Sequence, residues 1–421
     1  MSKRVLVIGY VWPEPNSSAA GSRMMQLIDA MRAQDWEVTF ASPAQLSEHM
    51  ADLDQWNVAC ETIELNNKSF DDYIKGLNPD IVLFDRFMME EQFGWRVEKF
   101  CPQALRILNT EDLHSLREAR QQQIKQGKLL NLETEIHLLH TPMAIREIAA
   151  IHRSDLTLMI SQVEIELLIE HFNVPPLQLL HLPFMLEVIN ESAQDQLPSF
   201  EHRQHFISIG NFRHAPNWDA VLQLKQHIWR LIRKQLPKAE LHIYGAYPPP
   251  KATQLHNAKQ GFHIKGWAKD AKAVMQQARV CLAPLRFGAG IKGKLTDAMQ
   301  CGTPSLTTTI GSEGMFLDQW NGEIIDTQEM MSKPQIFADS AVKLYQDETR
   351  FTEYQKAGYS ILSRQYDKNH WQPLLIERLL LQKQQQESLR RSHFIGLMLR
   401  HHSMKSTQYM AQWIEAKNKA P

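Results

Sequence analysis

The chain has 421 residues, of which 43% are hydrophobic, and a formal net charge of −1. That length accommodates two domains with separate cores, and the near-neutral balance supplies no global field for nucleic acid, so no nucleic-acid partner is expected. Cys60, Cys101, Cys281 and Cys301 show no paired or metal-ligand spacing, no apolar run approaches the ~20 residues of a membrane span, and the N-terminus turns polar too soon for a secretory signal, so a cytoplasmic protein with reduced thiols is expected.

The first half alternates strand and helix. A strand at 5–8 leads through a proline-rich loop to a helix at 22–33. Further strands are expected at 37–41, 80–84, 105–109 and 156–160, with helices between them that include 92–100 and 147–152. Ser161-x-x-Glu164 has the spacing of a capping box opening the next helix. Such alternation predicts a parallel sheet covered on both faces. The polar stretch 187–204 reads as an interdomain linker. A second series follows, with strands at 206–210, 240–244, 262–264, 280–285 and 304–308 and helices at 218–235, 271–278 and 333–347. A ligand of such a sheet belongs at the strand C-terminal ends. Residues 366–421 read as helical, and the segment 393–402 mixes apolar and basic residues, suited to packing on its own protein or to lying on the inner face of a membrane.

The most informative stretch runs from Arg286 to Asp297: Arg-Phe-Gly-Ala-Gly-Ile-Lys-Gly-Lys-Leu-Thr-Asp. It links a buried strand to a helix start. Arg286, Lys292 and Lys294 gather where the helix dipole disfavours cations unless an anion arrives, so a phosphorylated ligand is expected. Gly288-x-Gly290-x-x-Gly293 fits a dinucleotide fingerprint with Glu313 as the ribose acid, but two lysines crowd a turn that ordinarily keeps small residues. Gly288-x-x-x-x-Gly293-Lys294 fits a P-loop until Leu295 takes the Ser/Thr position. The third reading is a nucleotide-sugar loop, with the cations on the diphosphate and Asp297 on the ribose. A solvated glycine turn would explain the glycines but not the cations.

Around this loop stand further blocks: Gly210 with Pro216-Asn217, Leu241 to Gly245, Ile264-Lys-Gly266-Trp267-x-x-Asp270, Ala298-Met-x-x-Gly302-x-Pro304 and Thr309-Ile-Gly-x-Glu313-Gly314. The first half adds Asn109-Thr-Glu-Asp-Leu-His114 and the segment from Arg153 to Glu164. In this order the blocks resemble the retaining GT-B glycosyltransferases of the "glycosyl transferases group 1" kind. The resemblance implies an α/β GT-B fold of two facing Rossmann-like doubly wound domains with a helical C-terminal extension. Its boundaries would be an acceptor domain at 1–190, a donor domain at 191–365 and the extension at 366–421. It also implies a nucleotide diphosphate sugar as donor substrate, a glycan, lipid-linked or small-molecule acceptor, retention of anomeric configuration, and no cofactor or metal. Asp52-Leu-Asp54 is accordingly read as surface.

The chain departs from the family in two places. Many members carry two glutamates flanking this loop; the second matches Asp297, while the first falls on Ala289. An arginine and a lysine common after the first strand of the donor domain are replaced by Asn211 and Asn217. The resemblance assigns the diphosphate to Lys292 and Lys294, with Arg286, Arg213 and Asn217 beside them and Gly290 in the turn. Asp297 would take the ribose and backbone near Gly266 the base. Glu313 would bind ribose or sugar hydroxyls, or cap a helix. Gly21 would let backbone approach the ligand, or merely start its helix. Asp112 and His114 are the expected catalytic pair, positioning the acceptor hydroxyl. Arg117, Arg120, Lys125 and Lys128 read as a solvated helix face or an anion site. A nucleotide-sugar epimerase and a non-catalytic binding protein on the same scaffold are the alternatives.

Overall fold

The computed structural model describes residues 2–315 and 318–419. The first sheet contains β1 (Arg4–Ile8), β2 (Glu37–Ser42), β3 (Ala59–Thr62), β4 (Ile81–Asp85), β5 (Leu105–Asn109), β6 (Leu156–Met159) and β7 (Leu179–His181). All pairings are parallel, in the order β3-β2-β1-β4-β5-β6-β7. The second contains β8 (Gln204–Ile209), β9 (Leu241–Tyr244), β10 (Phe262–Gly266), β11 (Ala278–Ala283), β12 (Ser305–Thr308) and β13 (Gly322–Ile325), again parallel, in the order β10-β9-β8-β11-β12-β13. Both sheets reverse direction of winding beside their first strand, between β1 and β4 and between β8 and β11, and such switch points open crevices at the strand C-terminal ends.

The central strands follow from their composition. β4 and β5 are buried at every position, as an apolar run between two helical layers must be. The short strands β3, β7 and β13 have no such run; β3 is exposed at all four residues, and its pairing on the sheet edge comes from tertiary contact rather than pattern. Separate apolar clusters lie on the two faces of the first sheet, another fills the second domain, and one joins the domains, with Ile160 and Phe184 packed among Leu285, Ile291, Leu295 and Tyr366.

The chain crosses between domains twice, side by side. The Leu186 N–H donates to the Tyr366 carbonyl (2.7 Å) and the Lys368 N–H to the Leu186 carbonyl (2.8 Å). After the second crossing, helices Lys368–Ser392 and Phe394–Lys419 pack back on the first domain. Leu375, Ile376 and Leu379 enter its core, Met404 and Ala411 cover Trp95, and Arg390 pairs with the buried Asp155 at 2.6 Å. Positions 420 and 421 of the expected extension lie outside the described residues.

Candidate active site

Helix Ala19–Arg32 follows β1, and helix Gly293–Gln300 follows β11. Both point their N-termini at the seam between domains. A Cβ added to Gly293 would lie 2.6 Å from the Ala19 Cβ and 3.5 Å from the Phe184 ring, so the two helices begin against one another. Ser18 caps the first by accepting from the Gly21 N–H. The second has Lys292 at its cap position and no side-chain cap. Its leading N–H groups have no carbonyl before them in the helix, and its cap residue carries a cation; both features favour an anion there.

Lys294 lies one residue into that helix. Its Nζ donates to Asn217 Oδ1 (2.8 Å), and Asn217 Nδ2 donates to the Asn211 carbonyl (3.0 Å). Burial lowers the Lys294 pKa to about 8. Asp297 is partly buried a turn further on, and burial raises its pKa to about 6. Its carboxylate has no hydrogen-bond or ion-pair partner in the structure among the described residues. Lys292 turns inward: its Nζ donates to the Gly290 carbonyl (2.7 Å), and burial lowers its pKa while neighbouring Glu313 opposes this.

The tip of the loop is docked into the first domain. The Gly290 N–H donates to Glu164 Oε1 (2.6 Å), with φ of 62°, and an added Cβ would come within 2.9 Å of the Asp112 Cβ. Glycine therefore serves here for both reasons of close approach and left-handed backbone. Ala289 is buried in the first domain's apolar cluster. An acid at that position would enter an apolar environment, which accounts physically for the alanine there. Arg120 completes the clasp, donating to the Gly288 carbonyl (2.8 Å) and forking onto Glu313 at 2.6 and 2.7 Å.

Several sequence expectations are corrected by this geometry. Ser161 makes no side-chain cap; Glu164 is buried and reaches Leu113 N–H (3.4 Å) and the second domain's Gly290 instead. Glu313 neither caps a following helix nor stands free, because Arg120 holds both its oxygens and keeps its pKa low against the opposing effect of burial. Arg117 and Arg120 are not a solvated face: their i, i+3 spacing turns both inward, Arg117 onto Asp112 and Arg120 onto Glu313, while Lys125 and Lys128 are exposed. Arg286 is forked onto Asp219 at 2.9 and 2.5 Å. The space over Gly21 is filled by its own loop, since an added Cβ would meet the Glu14 backbone at 2.4 Å.

The remaining candidates frame the seam. Arg213 is exposed and lies over the Tyr247 ring at 3.6 Å; the Tyr247 hydroxyl donates to Glu14 of the first domain (2.7 Å). Gly266 has φ of 75° and open space where a Cβ would be, and the adjoining Trp267 stacks on His49 of the first domain with centroids 4.2 Å apart. On the first domain, burial alone would raise the Asp112 pKa, but Arg117 and His114 hold it well below the usual carboxylate range. His114 Nδ1 lies 3.2 Å from the Asp112 carbonyl and 3.3 Å from Glu147 Oε1, so its N–H donates to these oxygens. Sequence reasoning missed Glu111. It follows β5 in a left-handed conformation (φ 66°), beside Arg86 after β4 (φ 70°). Asn109 Nδ2 donates to its Oε1 (2.6 Å), and burial followed by the neighbouring Asp85 raises its pKa to about 8. Strained residues at the ends of the adjacent strands β4 and β5, the first of them beside the switch point, are the signal, and only the backbone carries it.

Two parallel-sheet domains facing each other at their strand C-termini make the GT-B fold, and among solved structures the same fold recurs. Sucrose-phosphate synthase from Thermosynechococcus elongatus is 16% identical with a TM-score of 0.61, over 90% of this chain and 98% of that one. HepE of Anabaena, crystallised with UDP and glucose, is 12% identical with a TM-score of 0.61, over 90% and 99%. TarM of S. aureus, crystallised with UDP and α-GlcNAc-glycerol, is 13% identical with a TM-score of 0.56 over 74% of this chain, which spans 58% of the TarM chain's length. No curated protein matches the sequence. Residues 203–347 match the family described as Glycosyl transferases group 1. The chain has the GT-B fold, and residues 203–347, within its second domain, match the Glycosyl transferases group 1 model that the ordered motif blocks pointed to.

Proposed function

We propose that the protein transfers a glycosyl group from a nucleotide diphosphate sugar to a glycan, lipid-linked or small-molecule acceptor, with retention of anomeric configuration and without a catalytic metal. The observation that carries this is the abutment of two helix N-termini at Ala19 and Gly293, with Lys294 alongside. Two abutting helix N-termini and an ammonium are compatible with one another when a diphosphate lies alongside them. Lys294 and the leading N–H groups of helix Gly293–Gln300 bind the diphosphate, Arg213 reaches it from the exposed rim, and the unpartnered Asp297 accepts from the ribose hydroxyls. The base lies against Gly266 and Trp267. Lys292, held on the Gly290 carbonyl, Arg286, held on Asp219, and Glu313, held on Arg120 of the first domain, shape the loop.

In the transfer, the bond between the sugar C1 and the phosphate oxygen breaks and the acceptor oxygen bonds to C1 from the same face. The acceptor proton passes to the departing phosphate oxygen. Charge growing on that phosphate is what Lys294 stabilises. Asp112, His114 and Glu111, gathered at the end of β5, position the acceptor hydroxyl. We further place the tail helix Phe394–Lys419 on an anionic membrane surface. It exposes Phe394, Met398, Tyr409, Met410 and Trp413 among His401, Lys405 and Lys417, and no helix among the described residues is long and apolar enough to cross a membrane.

Calorimetry of the full chain with UDP, GDP and NAD tests the donor reading. One nucleoside diphosphate should bind at micromolar levels or tighter; binding of NAD alone overturns it. Transfer should persist in EDTA, and loss restored by Mn²⁺ would refute the metal-free part. The anomeric configuration of the product, read by NMR, decides retention.

A further inference from the structure

At the opposite end of the second sheet from the loop, three strands bring histidines together. His242 on β9 and His263 on β10 are direct partners in the parallel register. Glu240 precedes His242 by two residues, which puts it on the same face. Glu240 Oε2 lies 2.8 Å from His242 Nε2 and 3.7 Å from His263 Nε2, and the three ligand atoms all lie within 4.8 Å of one another. His205 on β8 stacks on the His242 ring at 3.9 Å from a left-handed backbone (φ 50°), and His256 flanks His263 at 5.5 Å. The His263 Nε2 atom is buried and has no hydrogen-bond partner.

We propose that Glu240, His242 and His263 form a site for a divalent transition metal of the zinc class, with water in the remaining position. A tetrahedral site with bonds of about 2.0–2.1 Å separates its ligand atoms by roughly 3.3 Å, and the two distances to Glu240 bracket that value. Two imidazole nitrogens and one carboxylate oxygen are the donor set zinc accepts. A hydrogen bond between Glu240 and His242 satisfies one ring only, whereas a cation at the centre satisfies all three groups, including the orphaned His263 nitrogen. Lys265 is the opposing charge nearby. Because β10 is the edge strand, the metal ties that edge to β9 at the end of the strand remote from Gly266. The site stands far from Lys294 along the strands, and it does not rest on the glycosyl-transfer reading.

The test is a titration of the chelator-treated full chain. Co²⁺ should give visible d–d absorption saturating at one equivalent, and Zn²⁺, followed by competition with a chromophoric chelator, should bind at micromolar levels or tighter. His242→Ala and His263→Ala should each weaken binding by at least about tenfold, and Glu240→Gln, at an exposed position, should do so without disturbing the fold. Lys294→Met should leave metal binding unchanged. Absence of saturable Co²⁺ absorption in the wild-type chain overturns the proposal, as does Zn²⁺ affinity that Glu240→Gln and either histidine variant leave intact.

Discussion

Lys294→Met separates the function of the loop from its stability. The folded chain holds the Lys294 ammonium with a pKa lowered from 10.5 to about 8 by burial. Maintaining that charge without a ligand costs the fold at most about 3 kcal/mol, and less because the side chain is only partly buried. The variant gives up the bond to Asn217 Oδ1, worth about 1 kcal/mol, so the unliganded protein should gain roughly 1–2 kcal/mol and melt about 2–6 °C higher. Donor binding should fall by about 1.5–3 kcal/mol, or roughly 10–150-fold, the range of a charge-assisted hydrogen bond. The sign with pH follows from proton counting. Between about 8 and 10.5 the unfolded lysine binds more protons than the folded one, so wild-type stability contains a term that rises with pH across that window and is absent from the variant. Donor affinity of the wild type should decline above pH about 8, as the ammonium is lost. Thermal melts with calorimetry across pH measure both. A variant that melts earlier yet binds donor as tightly as wild type would falsify the reasoning on both counts.

Three other perturbations probe the clasp and the tail. Burial, then the Asp112 charge, raises the Glu164 pKa to about 8, so the folded state binds the extra proton between 4.5 and about 8 and this group's contribution to stability falls as pH rises through that window. Glu164→Gln should flatten that dependence in pH-resolved melts, while Glu164→Ala, which strands the Gly290 and Leu113 N–H groups, should cost about 1–3 kcal/mol for each left unsatisfied. Arg120→Ala leaves Glu313 unpaired at the domain seam and should destabilise by about 3 kcal/mol and raise the donor KM, with Arg120→Met/Glu313→Met recovering part of the stability; additive single effects would show that the pair carries no coupling. For the tail, sedimentation with anionic vesicles should be salt-sensitive and lost in Phe394→Ser/Trp413→Ser, and retention of binding by that double variant would place the contact elsewhere.

Much of the fold was legible because parallel strands buried on both faces must be written as apolar runs. β1, β4, β5 and β11 each stand where such a run predicts. The edge strands β3, β7 and β13 were not legible, since an exposed strand such as Ala59–Thr62 needs no pattern and is fixed by its neighbour. At the site, the Gly-rich turn and its cations announced an anion because composition and helix position alone make them unfavourable without one. The partners of those cations were hidden. Ser161-x-x-Glu164 satisfies the local spacing of a cap, and nothing local reveals that a residue 126 positions away supplies a better donor to the glutamate.

By itself the sequence determined the two wound sheets and pointed to an anion site at the start of the helix after β11, because backbone propensity, burial and the helix dipole are local properties. Only the tertiary structure decided which of the loop's charges are taken up between the domains and which are not. Docking of Ala289 and Gly290 into the first domain draws Lys292, Glu313 and Arg120 into the clasp and leaves Lys294 and Asp297 outside it. Pairing between charges depends on distance through space, and the distances are set by how two separately folded sheets come together.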